Sequence, residues 1–286
     1  MTDFTSPVDD IRFALRHVAG AETLAAYEAF AHADAEMVDG LLEEAGRFFD
    51  EVVAPTNRDG DTVGTTRNAD GSVTTAPGFR EAYAKLVEAG WAGIGFPAEY
   101  GGGGFPWLIS TAVQELTTSA NMAFALAPLL TQGAIEAILH HGDETQREVY
   151  LAKLISGEWT GTMNLTEPHA GSDVGALTTK AEPADDGTWR IRGQKIYITW
   201  GEHDCADNIV HLVLARTPGS PPGTKGISLF IVPKFLVDDE GSLGERNDLR
   251  CVSIEHKLGI HGSPTCVMQY GDEGGAVGYL LSLIHI

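Results

Sequence analysis

The sequence predicts an α+β multidomain chain, a helical N-terminal domain followed by a small β-barrel domain. Three observations carry that prediction. From about Ala21 to Gly157 apolar residues recur every three or four positions, the spacing of a helix face. After Gly157 the period falls to two, the spacing of a strand face. Gly- and Pro-rich clusters then cut the second half into short segments, the pattern of a barrel or sandwich. With 286 residues and a 43% hydrophobic share, the chain has room for two ordinary domains and material for their cores. No internal repeat is visible.

The first helical stretch, AETLAAYEAFAHADAEMVDGLLEEAGRFFDEVV, is rich in Ala, Leu and Glu. Met37, Leu41, Leu42, Phe48 and Val52 are expected near one face of it, and Pro55 is expected to stop it. TNRDGDTVGTTRNADGSVTTAPG then reads as an exposed loop, with Asp70-Gly71 as a turn. Helical patterns return in FREAYAKLVEAG, PWLISTAVQELTTSA, AFALAPLLTQGAIEAILHHG and ETQREVYLAKLISG. Gly90 and Gly157 are expected as C-terminal caps, and Thr145 with its preceding acids near a helix start. Strands are expected in WTGTMNL, GALTTKAEP, WRIRGQKIYIT, NIVHLVLART, GISLFIVP and TCVMQY, separated by turns such as ADDG and TPGSPPGTKG. The closing SLIHI is an apolar, strand-like run without a cap or polar tail, so the chain is expected to be cut there rather than finished.

Lys and Arg number 19 against 40 Asp and Glu, a formal net charge of −21. Such a chain repels phosphate backbones, which argues against nucleic acid or an anionic membrane surface as its main partner. Cys205, Cys251 and Cys266 are odd in number, far apart and without CxxC spacing. They predict buried reduced thiols and neither a zinc site nor a disulfide framework. MTDFTSPVDD lacks the basic-then-apolar pattern of a signal peptide. No uninterrupted apolar run approaches the roughly 20 residues of a membrane span. A cytoplasmic, soluble protein is expected.

The chemistry-bearing candidates crowd into MNLTEPHAGSD, residues 163–173. Glu167, His169, Ser172 and Asp173 raise the question of acid/base or nucleophilic catalysis. A serine nucleophile needs an oriented base and a strained elbow such as GxSxG. AGSDVG lacks that spacing, and His169 lies only three residues from Ser172 on an irregular segment. The alternative is a cradle. Pro168 stiffens the turn, Gly171-Ser172 leave the backbone open, and successive free N–H groups suit a pyrophosphate. The Thr166 hydroxyl, two residues before the proline, can reach a heterocycle edge. A nucleotide-like cofactor is one expectation from this stretch, and an ordered turn without a ligand is the other.

In QKIYITWGEHD, residues 194–204, strand alternation places Ile196, Ile198 and Trp200 on one side and Tyr197 and Thr199 on the other. An aromatic and a hydroxyl sharing a face suit a flat ring, although an ordinary sheet face has the same composition. GIGFPA, residues 93–98, matches GxGxxA but follows a helix and places Pro97 where a phosphate-binding helix should begin, against a Rossmann site. His140 and His141 diverge at a helix end and read as a solvated cap, not as metal ligands. HKLGIHGSPT, residues 256–265, is a Gly/Pro-rich loop before a strand.

Taken in order, GWAGIGFPAEYGGGG, MNLTEPHAGSDVG, RGQKIYITWGEHD and HKLGIHGSPTCVMQYGDEGGAVGYL resemble the acyl-CoA dehydrogenase family of FAD enzymes. The opening SPVDDIRFALRHVAG resembles the N-terminal extension of a larger-subunit branch that includes the 3-methylmercaptopropionyl-CoA dehydrogenases. The resemblance implies an N-terminal extension over 1–35, a helical domain over 36–158, a middle β-barrel domain over 159–280 and an aberrant tail over 281–286. The family's C-terminal helical domain is then missing. FAD is implied, with Met163, Leu165 and Thr166 near the flavin ring and Gly171 and Ser172 near the pyrophosphate. Ser172 also matches a position that meets the acyl-CoA. Tyr197, Ile198 and Thr199 match a second flavin segment, in which the family commonly has Trp at the Tyr197 position. The implied reaction is α,β-dehydrogenation of an acyl-CoA thioester to the 2-enoyl-CoA. A carboxylate takes the α-proton, the flavin takes the β-hydrogen, and electrons pass to an electron-transferring flavoprotein. The family's base comes from the C-terminal domain or its border, so no catalytic residue is expected here. Glu167 is expected to make local hydrogen bonds. A homodimer or higher oligomer is implied for the full-length form. An oxidase of the same fold and a non-catalytic binding or assembly module are the alternatives.

Overall fold

The computed structural model describes residues 4–238 and 240–282. Its helices are α1 (Val8–His17), α2 (Ala35–Phe48), α3 (Asn57–Thr62), α4 (Phe79–Glu88), α5 (Trp107–Ala120), α6 (Met122–His141) and α7 (Glu144–Ser156). Residues 21–30, expected to be helical, form short 3-10 turns instead. Helix α2 starts where the Asp34 side chain accepts the Met37 N–H at 2.9 Å. Its buried stripe is Val38, Leu42 and Ala45, continued by Phe49 and Val53. That stripe lies one position past the expected one, so Met37 faces solvent while Leu41, Phe48 and Val52 flank the core. Pro55 does not stop the run. A π-helical turn at Phe49–Val53 and a 3-10 turn at Ala54–Thr56 change the hydrogen-bond spacing around it, and the chain continues into α3. The exposed loop expected from Thr56 onward therefore begins as a helix.

Helix α1 belongs to the same core. Ile11 and Leu15 are buried, and Arg12 and Arg16 both pair with Asp39 of α2. Helix α6 has 20 residues and a mean hydropathy of 1.6, so by length and composition it could cross a membrane. Here it is a core helix packed between α5, α7 and the barrel. An Asp143–Gln146 capping box opens α7, and Gly157, at φ 86°, closes it.

The strands are β1 (Thr66–Arg67), β2 (Val73–Thr74), β3 (Trp159–Asn164), β4 (Lys180–Pro183), β5 (Trp189–Thr199), β6 (Asn208–Arg216), β7 (Ile227–Pro233), β8 (Phe235–Val237), β9 (Leu243–Arg246), β10 (Leu249–Ile254), β11 (Thr265–Tyr270) and β12 (Ala276–Ser282). β1 and β2 make the hairpin around Asp70-Gly71, and β8 pairs with β9. The barrel closes through β5–β12–β7–β6–β4 and back to β5. Strand β5 is long enough to serve twice. Its first half pairs with β4 and β12, and its second half leaves the barrel to pair with β11, which carries β10. Strand β3 runs parallel to β6 outside the closed ring. Leu281 is buried and Ser282 pairs with Leu229, so these two residues continue β12 where an aberrant tail was expected. Residues 283–286 of that tail, like 1–3 of the N-terminal extension, lie outside the described residues.

Helices and barrel meet along β3 and at the end of β5. A Cβ at Gly161 would collide with the Cβ of Ala134 on α6, and the Gly161 N–H donates to Thr131 Oγ1 at 3.0 Å. Trp200 turns away from the sheet at φ 52° and buries its ring in the helical core. It stacks on Phe79 at 6.3 Å and donates from Nε1 to the Ala123 carbonyl at 3.1 Å. Cys251 and Cys266 are buried and Cys205 half-buried, all three as free thiols.

Candidate cofactor cradle at the β3/β5 seam

Strand β3 ends at Asn164, and the next residues turn back on themselves. The Glu167 N–H donates to the Ala170 carbonyl and the Ala170 N–H to the Glu167 carbonyl, each at 3.0 Å, with Pro168 and His169 at the corner. This tight turn sends the Glu167 side chain inward and leaves Gly171 and Ser172 outside. The carboxylate is buried and fully engaged. Oε2 accepts from the Thr178 N–H (2.7 Å) and hydroxyl (3.0 Å), and Oε1 from the Thr179 N–H (3.0 Å) and hydroxyl (2.5 Å). Lys195, fully buried on β5, donates to Oε1 at 2.8 Å and to the Leu165 carbonyl at 2.9 Å.

Burial pushes the Glu167 carboxyl up, but the Lys195 ammonium and the threonine donors outweigh it and hold it at about 2. Burial likewise pulls Lys195 down to about 8, against the upward pull of Glu167, so both groups are charged at neutral pH. Glu167 therefore serves local hydrogen bonding, as expected.

Strand β5 does not alternate through this region. Met268 pairs with Lys195 and Cys266 with Ile198, so β5 spends one residue more than its partner: a β-bulge. Lys195 and Ile198 consequently both point inward although three positions apart. The expected division of Ile196, Ile198 and Trp200 from Tyr197 and Thr199 fails for this reason, and Trp200 belongs to the helical core. At the bulge the Ile196 N–H leaves the ladder and donates to the Thr166 carbonyl at 2.8 Å. Tyr197 takes φ 59°, a left-handed conformation uncommon for a non-glycine residue, and its ring stands 60% exposed. The Thr199 carbonyl accepts from Thr162 Oγ1 at 2.7 Å.

The expected site residues are thereby gathered along one seam between β3 and β5. Met163 and Tyr197 are exposed, as are Gly171 and Ser172, while Leu165, Thr166 and Thr199 are half-buried. Ile198 points into the barrel core, so only its backbone faces the seam. Among the described residues, the Thr166 hydroxyl and the Gly171 and Ser172 N–H groups have no protein partner. An exposed aromatic ring, a free hydroxyl on the loop bonded to its strand and two unpartnered N–H groups fit a flat heterocycle carrying an anionic chain.

Two residues of this architecture escaped sequence reasoning. Lys195 falls two periods after Ile191, at an inward position of β5, where a charged side chain requires a buried partner. Arg216 ties the segment after the cradle to the 217–226 loop. It donates to the carbonyls of Leu177 (2.8 Å), Gly223 (3.0 Å) and Gly175.

Residues 36–158 match the acyl-CoA dehydrogenase N-terminal domain, and residues 162–272 match the acyl-CoA dehydrogenase middle domain. The 3-methylmercaptopropionyl-CoA dehydrogenase of Ruegeria pomeroyi is 48% identical over 278 residues, 97% of this chain and 47% of that protein. The structure of butyryl-CoA dehydrogenase from Megasphaera elsdenii aligns with a TM-score of 0.66 at 27% identity, covering 85% of this chain and 56% of that one. A structure described as the electron transferring flavoprotein of Acidaminococcus fermentans aligns with a TM-score of 0.66 at 29% identity, covering 83% and 56%. The chain thus spans about half the length of the relatives it matches. By its two matched domains and the fold they build, the chain belongs to the acyl-CoA dehydrogenase family, of which it carries the N-terminal and middle domains.

Proposed function

We propose that the protein carrying these domains is an FAD-dependent acyl-CoA dehydrogenase that converts an acyl-CoA thioester to its 2-enoyl-CoA. The observation that carries the reading is the β3/β5 seam, where an exposed ring, a free hydroxyl and two free N–H groups converge within a chain 48% identical to such an enzyme. Tyr197 and Met163 would flank the flavin ring, with Leu165, Ile198 and Thr199 lining it through backbone and side chain. Thr166 would hydrogen-bond the ring's polar edge, and Gly171 and Ser172 would donate to the pyrophosphate. Ser172, exposed like Gly171, would also meet the acyl-CoA. The bound flavin supplies the two-electron redox chemistry, which no side chain of this chain can supply.

Glu167 is excluded as the base, because its carboxylate is committed to Lys195, Thr178 and Thr179. We assign the α-proton to a carboxylate outside the described residues. The resemblance to the Ruegeria enzyme favours 3-methylmercaptopropionyl-CoA as the acyl substrate, and the structural likeness to the Acidaminococcus flavoprotein complements an electron-transferring flavoprotein as electron acceptor. A cytoplasmic homo-oligomer completes the reading. The test is the visible spectrum of the complete purified protein, followed by acyl-CoA reduction of its flavin under anaerobic conditions. A yellow protein bleached by acyl-CoA is expected. A colourless protein that takes up no FAD on reconstitution overturns the reading, and fast re-oxidation by oxygen in place of the flavoprotein makes it an oxidase.

A further inference from the structure

We propose that Lys195 is a positioning residue for the cradle, setting the gap between Thr166 and Tyr197 through the Glu167 carboxylate and the Leu165 carbonyl. The inference rests on the functional reading above and goes beyond it by assigning a role to a residue that touches no ligand.

Lys195 stands immediately before the bulge, and its ammonium reaches across to both residues that bracket Thr166. The next backbone group, the Ile196 N–H, bonds Thr166 itself, and the residue after that is Tyr197. Three consecutive residues of β5 therefore hold the cradle loop and then present the ring. Glu167 extends the connection to Thr178 and Thr179, which lead into β4. The two segments that would enclose the flavin are thus joined by the Lys195–Glu167 pair, by the Ile196–Thr166 hydrogen bond beside it and by the Thr162–Thr199 hydrogen bond. No β-ladder joins them, because β3 pairs with β6 and the second half of β5 pairs with β11.

A buried ion pair adds little stability over a well-packed apolar pair of the same volume. What it does impose is geometry. An ammonium bonded to two oxygens fixes the loop relative to the strand, and a one-residue slip of the bulge would turn Lys195 outward and strand the Glu167 carboxylate in the interior. Without that constraint the seam can widen, and Tyr197 is free to leave its left-handed conformation.

The test compares the complete wild-type protein with Lys195→Met, Glu167→Gln and the uncharged double variant, in three readouts. These are FAD affinity by flavin fluorescence quenching, the visible circular dichroism of bound flavin, and thermal unfolding of the FAD-free protein. Lys195→Met is expected to weaken FAD binding about tenfold or more, which corresponds to about 1.4 kcal/mol of lost positioning. The double variant leaves no charge stranded, so it should recover the unfolding temperature while FAD affinity and the flavin dichroism stay altered. If affinity and dichroism return together with the unfolding temperature, Lys195 is merely structural and the proposal is overturned. Should Lys195→Met fail to fold, Lys195→Arg keeps the charge but alters its reach to the Glu167 carboxylate and the Leu165 carbonyl, and unchanged FAD affinity and flavin dichroism there overturn it equally. Hydrogen exchange separates this inference from the functional reading. The Ile196 amide should exchange faster in the variants than in wild type even without FAD, and unchanged protection refutes the positioning role. A wild-type protein that binds no FAD refutes the function instead.

Discussion

Trp200 lies in the barrel half of the sequence but is buried in the helical core, and truncating it should uncouple the two halves. Its indole is 1% exposed, stacks on Phe79 at 6.3 Å with 13° between the planes, and donates to the Ala123 carbonyl of α6 at 3.1 Å. Burying a side chain of this size removes about 200 Å² from water, or roughly 5 kcal/mol at 25 cal/mol per Å². Measured truncations of buried aromatics cost about 3–5 kcal/mol, and Trp200→Ala should fall in that range. Trp200→Phe keeps the stack and loses the hydrogen bond, so it should cost only about 1–2 kcal/mol. The left-handed backbone at Trp200 is common to both variants and cancels in their comparison. Urea unfolding followed by far-UV circular dichroism for the helices, and by near-UV signal for barrel tyrosines such as Tyr270, measures both effects. The two signals should coincide in the wild type and separate in Trp200→Ala, with the helical signal lost first. A loss below about 1 kcal/mol in Trp200→Ala, or equal losses in the two variants, would show that the ring does not carry the interdomain contact assigned to it.

Two further outcomes follow from the buried histidines and the bulge. Burial holds His203 and His211 down to about 3, against an ordinary 6.5. Their folded-state values lie below the unfolded ones, so as pH falls from 6.5 toward 3 the unfolded chain takes up protons that the folded chain refuses, and stability is lost. Two such groups contribute up to about 2.7 kcal/mol per pH unit in that window. His211→Gln should remove about half of that contribution, measurable as urea midpoints between about pH 5 and 6, and an unaltered slope would count against the assignment. Tyr197→Gly relieves a left-handed strain of about 1–2 kcal/mol and incurs a glycine entropy cost of about 0.5–1 kcal/mol. The FAD-free protein should therefore unfold within about 1 kcal/mol of wild type while its FAD affinity falls, as thermal unfolding and a flavin titration would show.

The elements legible in the sequence are those whose own residues encode the period. NIVHLVLAR and ISLFIVP read as strands because both faces are buried, and the Asp143 capping box is spelled out locally. The elements that escaped depend on distant partners. NRDGDT has a loop's composition, yet it is helical because the π-helical turn before Pro55 hands it a helix to continue. Strand β9 is exposed at every position and exists only by pairing with β8. At the site, the MNLTEPHAGSD turn was readable, because Pro and Gly are local signals. The bulge was not, since one extra residue in β5 is defined only by the register of β11. The Glu167–Lys195 pair spans 28 residues, and each partner alone has the composition of a surface residue.

The two failures at the site, the bulge and the ion pair, share a location, and the location has a physical cause. Strand β5 is claimed by two sets of neighbours, the closed ring through β4 and β12, and the β11–β10 extension. Where it passes from one to the other, the ladder beside β3 cannot close. The gap is spanned by the Ile196–Thr166 and Thr162–Thr199 hydrogen bonds and by Lys195. In a fully closed barrel every backbone N–H would be spent on a neighbouring strand. Here the loop leaving β3 leaves the N–H groups of Gly171 and Ser172 without a protein partner among the described residues, and the bulge presents Tyr197 at the surface. The exposed Tyr197 ring, the proposed face for the flavin, thus arises from this break in sheet pairing. Restoring regular pairing, by deleting one residue of the bulge, would bury Tyr197 or Ile196 against the barrel and remove the cradle with the strain. The local alternation rule fails at this seam for the same reason that the seam presents Tyr197 to a proposed ligand.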